Sequence, residues 1–193
     1  MKITSVKPIL VMEWRTMLFV KVETDDGITG VGEAGLTSRE WGVEGIIRAL
    51  APLLAGEDPM RSEHLWQLMW RSGFHPANQV LTSAIAAIDI ALWDIKGKAL
   101  GVPIYQLLGG AVRDKMRIYS WIGGDNSEQL VWGAKEKIEQ GFTAIKMNLS
   151  GQLDVQVSLN RIKEIKRNVR EIRETIGDEN DFAIDFHGRV HKN

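Results

Sequence analysis

Phe142-Thr143-Ala144-Ile145-Lys146-Met147-Asn148 and Phe182-Ala183-Ile184-Asp185-Phe186-His187 are two short, mostly apolar runs that each close on polar residues. Between them the rhythm changes. Val155, Leu159, Ile162, Ile165, Val169, Ile172 and Ile176 recur at intervals of three and four, with Lys, Arg and Glu filling the other side. That spacing is the period of an amphipathic helix, whereas short apolar runs bounded by turn formers read as strands. The stretch therefore predicts strand, helix, strand, with Gly177 stopping the helix. The charged row from Arg161 to Glu174 is the solvated face of that helix.

Upstream, Ile118-Tyr119-Ser120-Trp121 predicts a further strand and Ser127 to Gln140 a helix, ended by Gly141 at a left-handed C-cap. The order strand, helix, strand, helix, strand argues for parallel βα units. Three strands in about 80 residues cannot close a barrel that takes roughly 250, nor complete an ordinary doubly wound sheet. The sequence stops where a βα loop should begin, so a further C-terminal portion is expected beyond Asn193. A parallel edge left open after the third strand invites association.

Residues 1–112 have a different grammar, that of an α+β unit. Met17 to Glu23 reads as a strand, Thr24-Asp25-Asp26-Gly27 as a turn, and Ile28 to Ala34 as the returning arm of a hairpin. Thr37 and Glu40 fit a capping box ahead of a helix whose apolar face is Val43, Ile46, Ile47, Leu50 and Leu54. Gly56-Glu57-Asp58-Pro59 ends it. Val80 to Lys98 is the strongest helix, with Leu81, Ile85, Ile88, Leu92 and Ile95 on one side and enough alanines to allow close packing. Gly101-Val102-Pro103 breaks it, and Leu107-Leu108-Gly109-Gly110 marks another turn.

The composition excludes several function classes. Across 193 residues, 24 basic and 25 acidic side chains leave a net charge of -1. With the basic residues dispersed, nothing points to nucleic acid or an anionic membrane as partner. The absence of cysteine removes disulfide, iron–sulfur and thiol-nucleophile chemistry. The apolar run Ile9 to Met12 is too short for a signal peptide and meets Glu13, and no window approaches the roughly 20 apolar residues that span a bilayer. A cytoplasmic location is expected.

In barrels, chemistry gathers at the C-terminal ends of the strands. Lys146 with Asn148, and Asp185 with His187, are polar pairs that alternate onto one face at two such ends. A hard cation such as Mg²⁺ would give Asp185 a reason to follow an apolar run, and histidine exchanges protons near neutral pH. Plainer roles compete, since a strand-end aspartate is commonly a loop cap and a lone histidine a surface residue. Trp66, Trp70, Trp93 and Trp132 fall in helical patterns and read as core or domain contacts. Asp89, Asp94 and Lys96 read as structural polar contacts, and His64 as a helix surface residue. His75, between Phe74 and Pro76, belongs to a loop that could face a substrate. No G-x-G-x-x-G follows a strand into a helix, and no phosphate-binding G-x-x-x-x-G-K-[ST] is present.

Ala84-Ile85-Ala86-Ala87-Ile88-Asp89-Ile90-Ala91-Leu92-Trp93-Asp94-Ile95-Lys96-Gly97-Lys98, followed by Gly101-Val102-Pro103 and Leu107-Leu108-Gly109-Gly110, resembles the signature of the mandelate racemase and muconate lactonising branch of the enolase superfamily. The hairpin carrying Asp26-Gly27-Ile28-Thr29-Gly30-Val31-Gly32-Glu33 is similar to its opening. The resemblance implies an N-terminal α+β capping domain, residues 1–112, followed from 113 to 193 by the first βα units of a modified TIM barrel, (β/α)7β when complete. Within the branch, Asp185-Phe186-His187-Gly188-Arg189-Val190 and Lys146-Met147-Asn148 resemble the galactonate-type acid-sugar dehydratases.

That likeness makes Asp185 the first of three carboxylate ligands to Mg²⁺ and His187 the general acid for the departing 3-hydroxyl. Lys146 and Asn148 would contact the substrate carboxylate or its enolate, and Arg189 the substrate. The capping domain would close over the acid sugar, bringing the Val11–Thr16 loop with Trp14 and Arg15, and the loop at His75, to its distal hydroxyls. Racemases of the branch carry a second lysine where this chain has Asn148, which disfavours a racemase or epimerase. The Phe74-His75-Pro76 stretch departs from the glycine-rich loop of the galactonate enzymes, which leaves the sugar's stereochemistry open. The remaining ligands and the base belong to later strands, so these 193 residues alone are expected to be inactive, and the parent a homo-oligomer. The alternative of another class is a non-catalytic capping or assembly protein.

Overall fold

The computed structural model describes residues 1–75, 77–149 and 157–187. The chain divides into two compact units, Met1–Val112 and Arg113–Asn193. In the first, β1 (Ile3–Met12), β2 (Thr16–Thr24) and β3 (Thr29–Ala34) form an antiparallel sheet in that order. Leu18, Val20 and Val22 alternate inward along β2 and are buried. The expected hairpin is β2–β3. β1 had no strand expectation, because Pro8 and the unbroken run Ile9 to Met12 hide the two-residue period. Its ladder to β2 runs as far as Met12 opposite Thr16, so the expected Val11–Thr16 loop shrinks to a turn at Glu13–Arg15.

Helices α1 (Glu40–Leu54), α2 (Ser62–Trp70), α3 (Gln79–Leu100) and the short α4 (Ile104–Leu107) complete this unit. Val43, Ile47, Leu50 and Leu54 of α1, Leu65 and Met69 of α2, and Ile85, Ile88, Leu92 and Ile95 of α3 build one core with the inner face of the sheet. The alanines of α3 let β3 come unusually close. A Cβ placed at Gly30 would run into the carbonyl of Ala91, and one at Gly32 into that of Ala87. The Asn78 side chain caps α3 by accepting from the amides of Val80 (3.1 Å) and Leu81 (3.0 Å), and Gly101 ends it at φ 68°.

The Thr37–Glu40 capping box does not form. α1 starts at Glu40 with Arg39 as its cap, and the Glu40 carboxylate instead accepts from the Ser38 amide at 3.0 Å. Positive φ at Leu36 and Ser38 bends the approach and takes Thr37 out of register with the first turn. Asp94 accepts from the Val31 amide (3.0 Å) and the Lys98 ammonium (2.8 Å), while Lys96 reaches the Ser62 hydroxyl (2.7 Å) over the Trp93 ring. Burial and the neighbouring Glu63 raise the Asp89 carboxyl above its ordinary range. All three residues thus have structural surroundings. Trp66 stacks on Trp70 with ring centres 4.9 Å apart.

The second unit holds β4 (Ser120–Ile122), α5 (Ser127–Glu139), β5 (Ala144–Asn148), α6 (Leu159–Ile176) and β6 (Asp181–Asp185). The strands are parallel in the order β4-β5-β6, the opening of a TIM-type barrel with no closed barrel among the described residues. Ile122, Ile145 and Met147 pack with Leu130, Ala134, Ile172 and Ile176. β4 lies two residues later than the sequence suggests, since Ile118 and Tyr119 stay exposed outside the ladder. Trp132 is also exposed, contrary to a core reading, because Leu130 and Ala134 mark the inward face of α5 and Trp132 lies between them on the other. Leu159 is exposed at the helix start, and Val155 lies outside the described residues.

Candidate functional site

The register of the second sheet sets Asn148 opposite Asp185 and Lys146 opposite Ala183. Alternation then places Lys146, Asn148 and Asp185 on one face at the C-terminal end of adjacent parallel strands. The Lys146 ammonium lies 2.7 Å from Asp185 Oδ2, and His187 Nε2 lies 2.9 Å from the same oxygen. The other oxygen, Oδ1, accepts from the backbone amide of His187 at 3.0 Å. To make both contacts His187 turns back at φ 50°, a left-handed conformation that histidine visits more readily than most residues. The Leu149 amide donates to the Asp185 carbonyl at 3.0 Å and carries the ladder one step past β5.

These contacts favour the charged form of Asp185. The Lys146 hydrogen bond, then the His187 amide, hold its carboxyl below the ordinary aspartate range. Asp185 therefore carries two roles at once, as the anchor of an ion pair and as the cap of its own turn. His187 is about half exposed. The arrangement offers a carboxylate, an ammonium and an imidazole converging on one point, the equipment for neutralising negative charge and passing a proton.

The other expected residues divide between this face and the first unit. Asn148 shares the face, and its Oδ1 is buried without a hydrogen-bond partner. Arg189 lies outside the described residues. Trp14, Arg15 and His75 belong to the first unit: Arg15 sits 4.9 Å over the exposed Trp14 ring at the β1–β2 turn, and His75 meets Phe74 edge-on. Sequence reasoning passed over Asn168. It occupies the apolar stripe of α6 between Ile165 and Ile172, at spacings of three and four, and is buried. A polar residue inside an otherwise aliphatic stripe was the available signal.

A Mg²⁺ ion needs several oxygen ligands. Asp185 is a suitable one, yet among the described residues no three His, Cys, Asp or Glu side chains gather. The residues present supply part of such a site and do not by themselves hold the ion.

Residues 5–109 match the N-terminal domain of mandelate racemase and muconate lactonizing enzymes. The chain belongs to the mandelate racemase/muconate lactonizing enzyme family. Among curated relatives, the D-galactonate dehydratases of Pectobacterium atrosepticum and Xanthomonas campestris pv. campestris are 46% and 49% identical over 173 residues, covering 90% of this chain and 45% of theirs. The chain thus spans about half the length of the family members it matches. A member of the enolase superfamily from Salmonella Typhimurium superposes with a TM-score of 0.88 at 31% identity, over 96% of this chain and 55% of that one. An enolase from Pantoea ananatis solved with D-gluconate and Mg gives 0.86 at 30%, over 98% and 54%. Among the described residues no helix is long and apolar enough to cross a membrane.

Proposed function

We propose that the protein of which these residues form a part dehydrates an acid sugar of the D-galactonate type to the 2-keto-3-deoxy acid. The observation that carries this reading is the Lys146–Asp185–His187 cluster at the ends of β5 and β6, in a family member similar to D-galactonate dehydratases. Residues 1–112 act as the capping domain and 113–193 as the start of the barrel, in a cytoplasmic homo-oligomer.

The chemistry assigns distinct work to each side chain. Loss of the proton next to a carboxylate builds up a second negative charge, which Lys146 and the Asn148 amide are placed to stabilise. His187 then gives a proton to the departing 3-hydroxyl, and water leaves as the C2–C3 double bond forms. The enol reverts to a ketone. The base that removes the α-proton, and the remaining oxygen ligands for Mg²⁺, are not supplied by the described residues. Asp185 would contribute one ligand to that ion, whose charge would stabilise the enolate when it is bound. Trp14, Arg15 and His75 are assigned to the distal hydroxyls, and Arg189 to substrate binding. Asn148 in place of a second lysine disfavours racemisation from this side.

The test is to express the complete gene, measure intact mass, and assay D-galactonate and its epimers with Mg²⁺ for 2-keto acid. A mass near twice 21.7 kDa with Mg²⁺-dependent turnover, lost in His187→Asn, supports the reading. A natural product of 21.7 kDa without turnover would leave the non-catalytic alternative.

A further inference from the structure

Ile122 and Met147 face each other across β4 and β5, and both are buried in the core that α5 and α6 cover. Trp121 and Lys146, one step back in the same register, therefore take the opposite face. The row on that face runs Trp121, Lys146, Ala183, with neighbours about 5 Å apart from strand to strand. Trp121 is 56% exposed, so core packing does not account for it. A glycine sets the direction of its ring. Alternation carries Gly123, one residue beyond β4, onto the same face, and the ring lies over it. The indole atoms Cη2, Cζ2 and Cζ3 occupy the space that a Cβ at Gly123 would need. The indole thus reaches forward along β4, towards the strand ends where Lys146, Asp185 and His187 meet. It adds a broad apolar wall beside a cluster of ions.

Such a wall reads what the ions cannot. An acid sugar whose carboxylate lies at Lys146 presents C–H bonds on one side of its chain and hydroxyls on the other, as its configuration dictates. The C–H hydrogens are slightly positive and sit well on the negative face of an aromatic ring. A hydroxyl turned against that ring is left without a partner, a misfit that costs up to about 100-fold in kcat/KM. C4 is the first carbon beyond the reacting C2–C3 pair, so its configuration can be read without disturbing the elimination.

We infer that Trp121 is a specificity-determining residue of the strand-end site. Its indole receives the C–H side of the substrate at C4 and disfavours the epimer that turns its hydroxyl to the ring. The inference rests on the acid-sugar reading proposed above.

The test uses the protein from the complete gene with Mg²⁺ and compares kcat/KM for D-galactonate and its C4 epimer D-gluconate. Trp121→Ala is expected to narrow the ratio between the two acids about tenfold or more, with KM for the better acid rising by more than kcat falls. Trp121→Phe keeps an aromatic wall and should restore most of the ratio. Gly123→Ala retains the indole but pushes it aside, and should narrow the ratio in the same direction. It also carries the test should Trp121→Ala fail to fold. Equal use of both acids by the unaltered protein, or an unchanged ratio in either folded alanine variant, would overturn this inference alone. Turnover of neither acid by the unaltered protein would overturn the acid-sugar reading, and this inference with it.

Discussion

The two units cover their sheets to different degrees. In Met1–Val112, β2 lies between two partners, its inner face is sealed by α1 and α3, and the polar groups of α3 are used up in structural contacts. In Arg113–Asn193, β6 has one partner among the described strands. Phe182, Ile184 and Phe186 with Ile162 and Val169 line an open apolar groove of about 680 Å³ beside it. The first unit contains its own packing. The second leaves apolar surface and three convergent ionisable groups at its strand ends, which is where this architecture places chemistry. The first unit thus spends its polar groups on holding its fold, while the second leaves a cluster of them at its strand ends.

The sharpest way to break that contrast is a matched pair of truncations. Leu92→Ala in α3 removes a side chain with no solvent exposure and is expected to cost about 2–5 kcal/mol. Ile184→Ala in β6 removes one already partly exposed in the groove and is expected to cost about 1 kcal/mol. Urea unfolding of both variants gives the comparison. Equal losses would mean that the groove is packed in solution and the contrast is false.

Close packing of β3 on α3 makes a second test of moderate size. Gly30→Ala puts a methyl group onto the Ala91 carbonyl, a backbone atom that cannot swing aside. About 1–3 kcal/mol of destabilisation is expected. Gly35→Ala, at a position with nothing within 4 Å, is the control and should be close to neutral. A neutral Gly30→Ala would show that strand and helix separate freely.

These contacts also mark how far the sequence could be read. Aliphatic spacing on α3 and α6 exposed both helices, because burial on one face leaves a period, and the mostly apolar start of Met17 to Glu23 ahead of a turn signal exposed β2. β1 escaped because its apolar end is continuous, and Trp132 was left between a core and a domain-contact role because hydrophobicity alone does not say which face a residue takes. Lys146, Asn148, Asp185 and His187 were legible as strand-end residues. That Lys146 grips Asp185 was not, since the register between strands about 40 positions apart is set by packing rather than local pattern.

Asp185→Asn separates the two units by function. The pair it removes is partly exposed, so stability should change little. Turnover by the protein from the complete gene should nevertheless be lost. Stability measured by urea and turnover by 2-keto acid release should therefore diverge. A large stability loss would make Asp185 a structural anchor and remove it from the site.

The smallest expected effect is electrostatic and lies in the first unit. Glu23 accepts from Lys21 (2.9 Å), Lys7 (2.6 Å) and Ser5 (2.5 Å) across β1 and β2, and these contacts, Lys21 foremost, bring its carboxyl down to about 2. In the unfolded chain a glutamate titrates near 4.3, so between these values the unfolded state holds the extra proton. The contribution is complete above the unfolded value and disappears as pH falls through about 2. Salt weakens it, because the group is at the surface. Glu23→Gln should flatten the fall of the urea midpoint between roughly pH 4.5 and 2, and leave its shape above pH 5 unchanged. An identical acid limb in both proteins would show that the three partners do not hold Glu23 in solution, and that the first unit's outer sheet face pairs its charges less closely than the second unit's strand ends do.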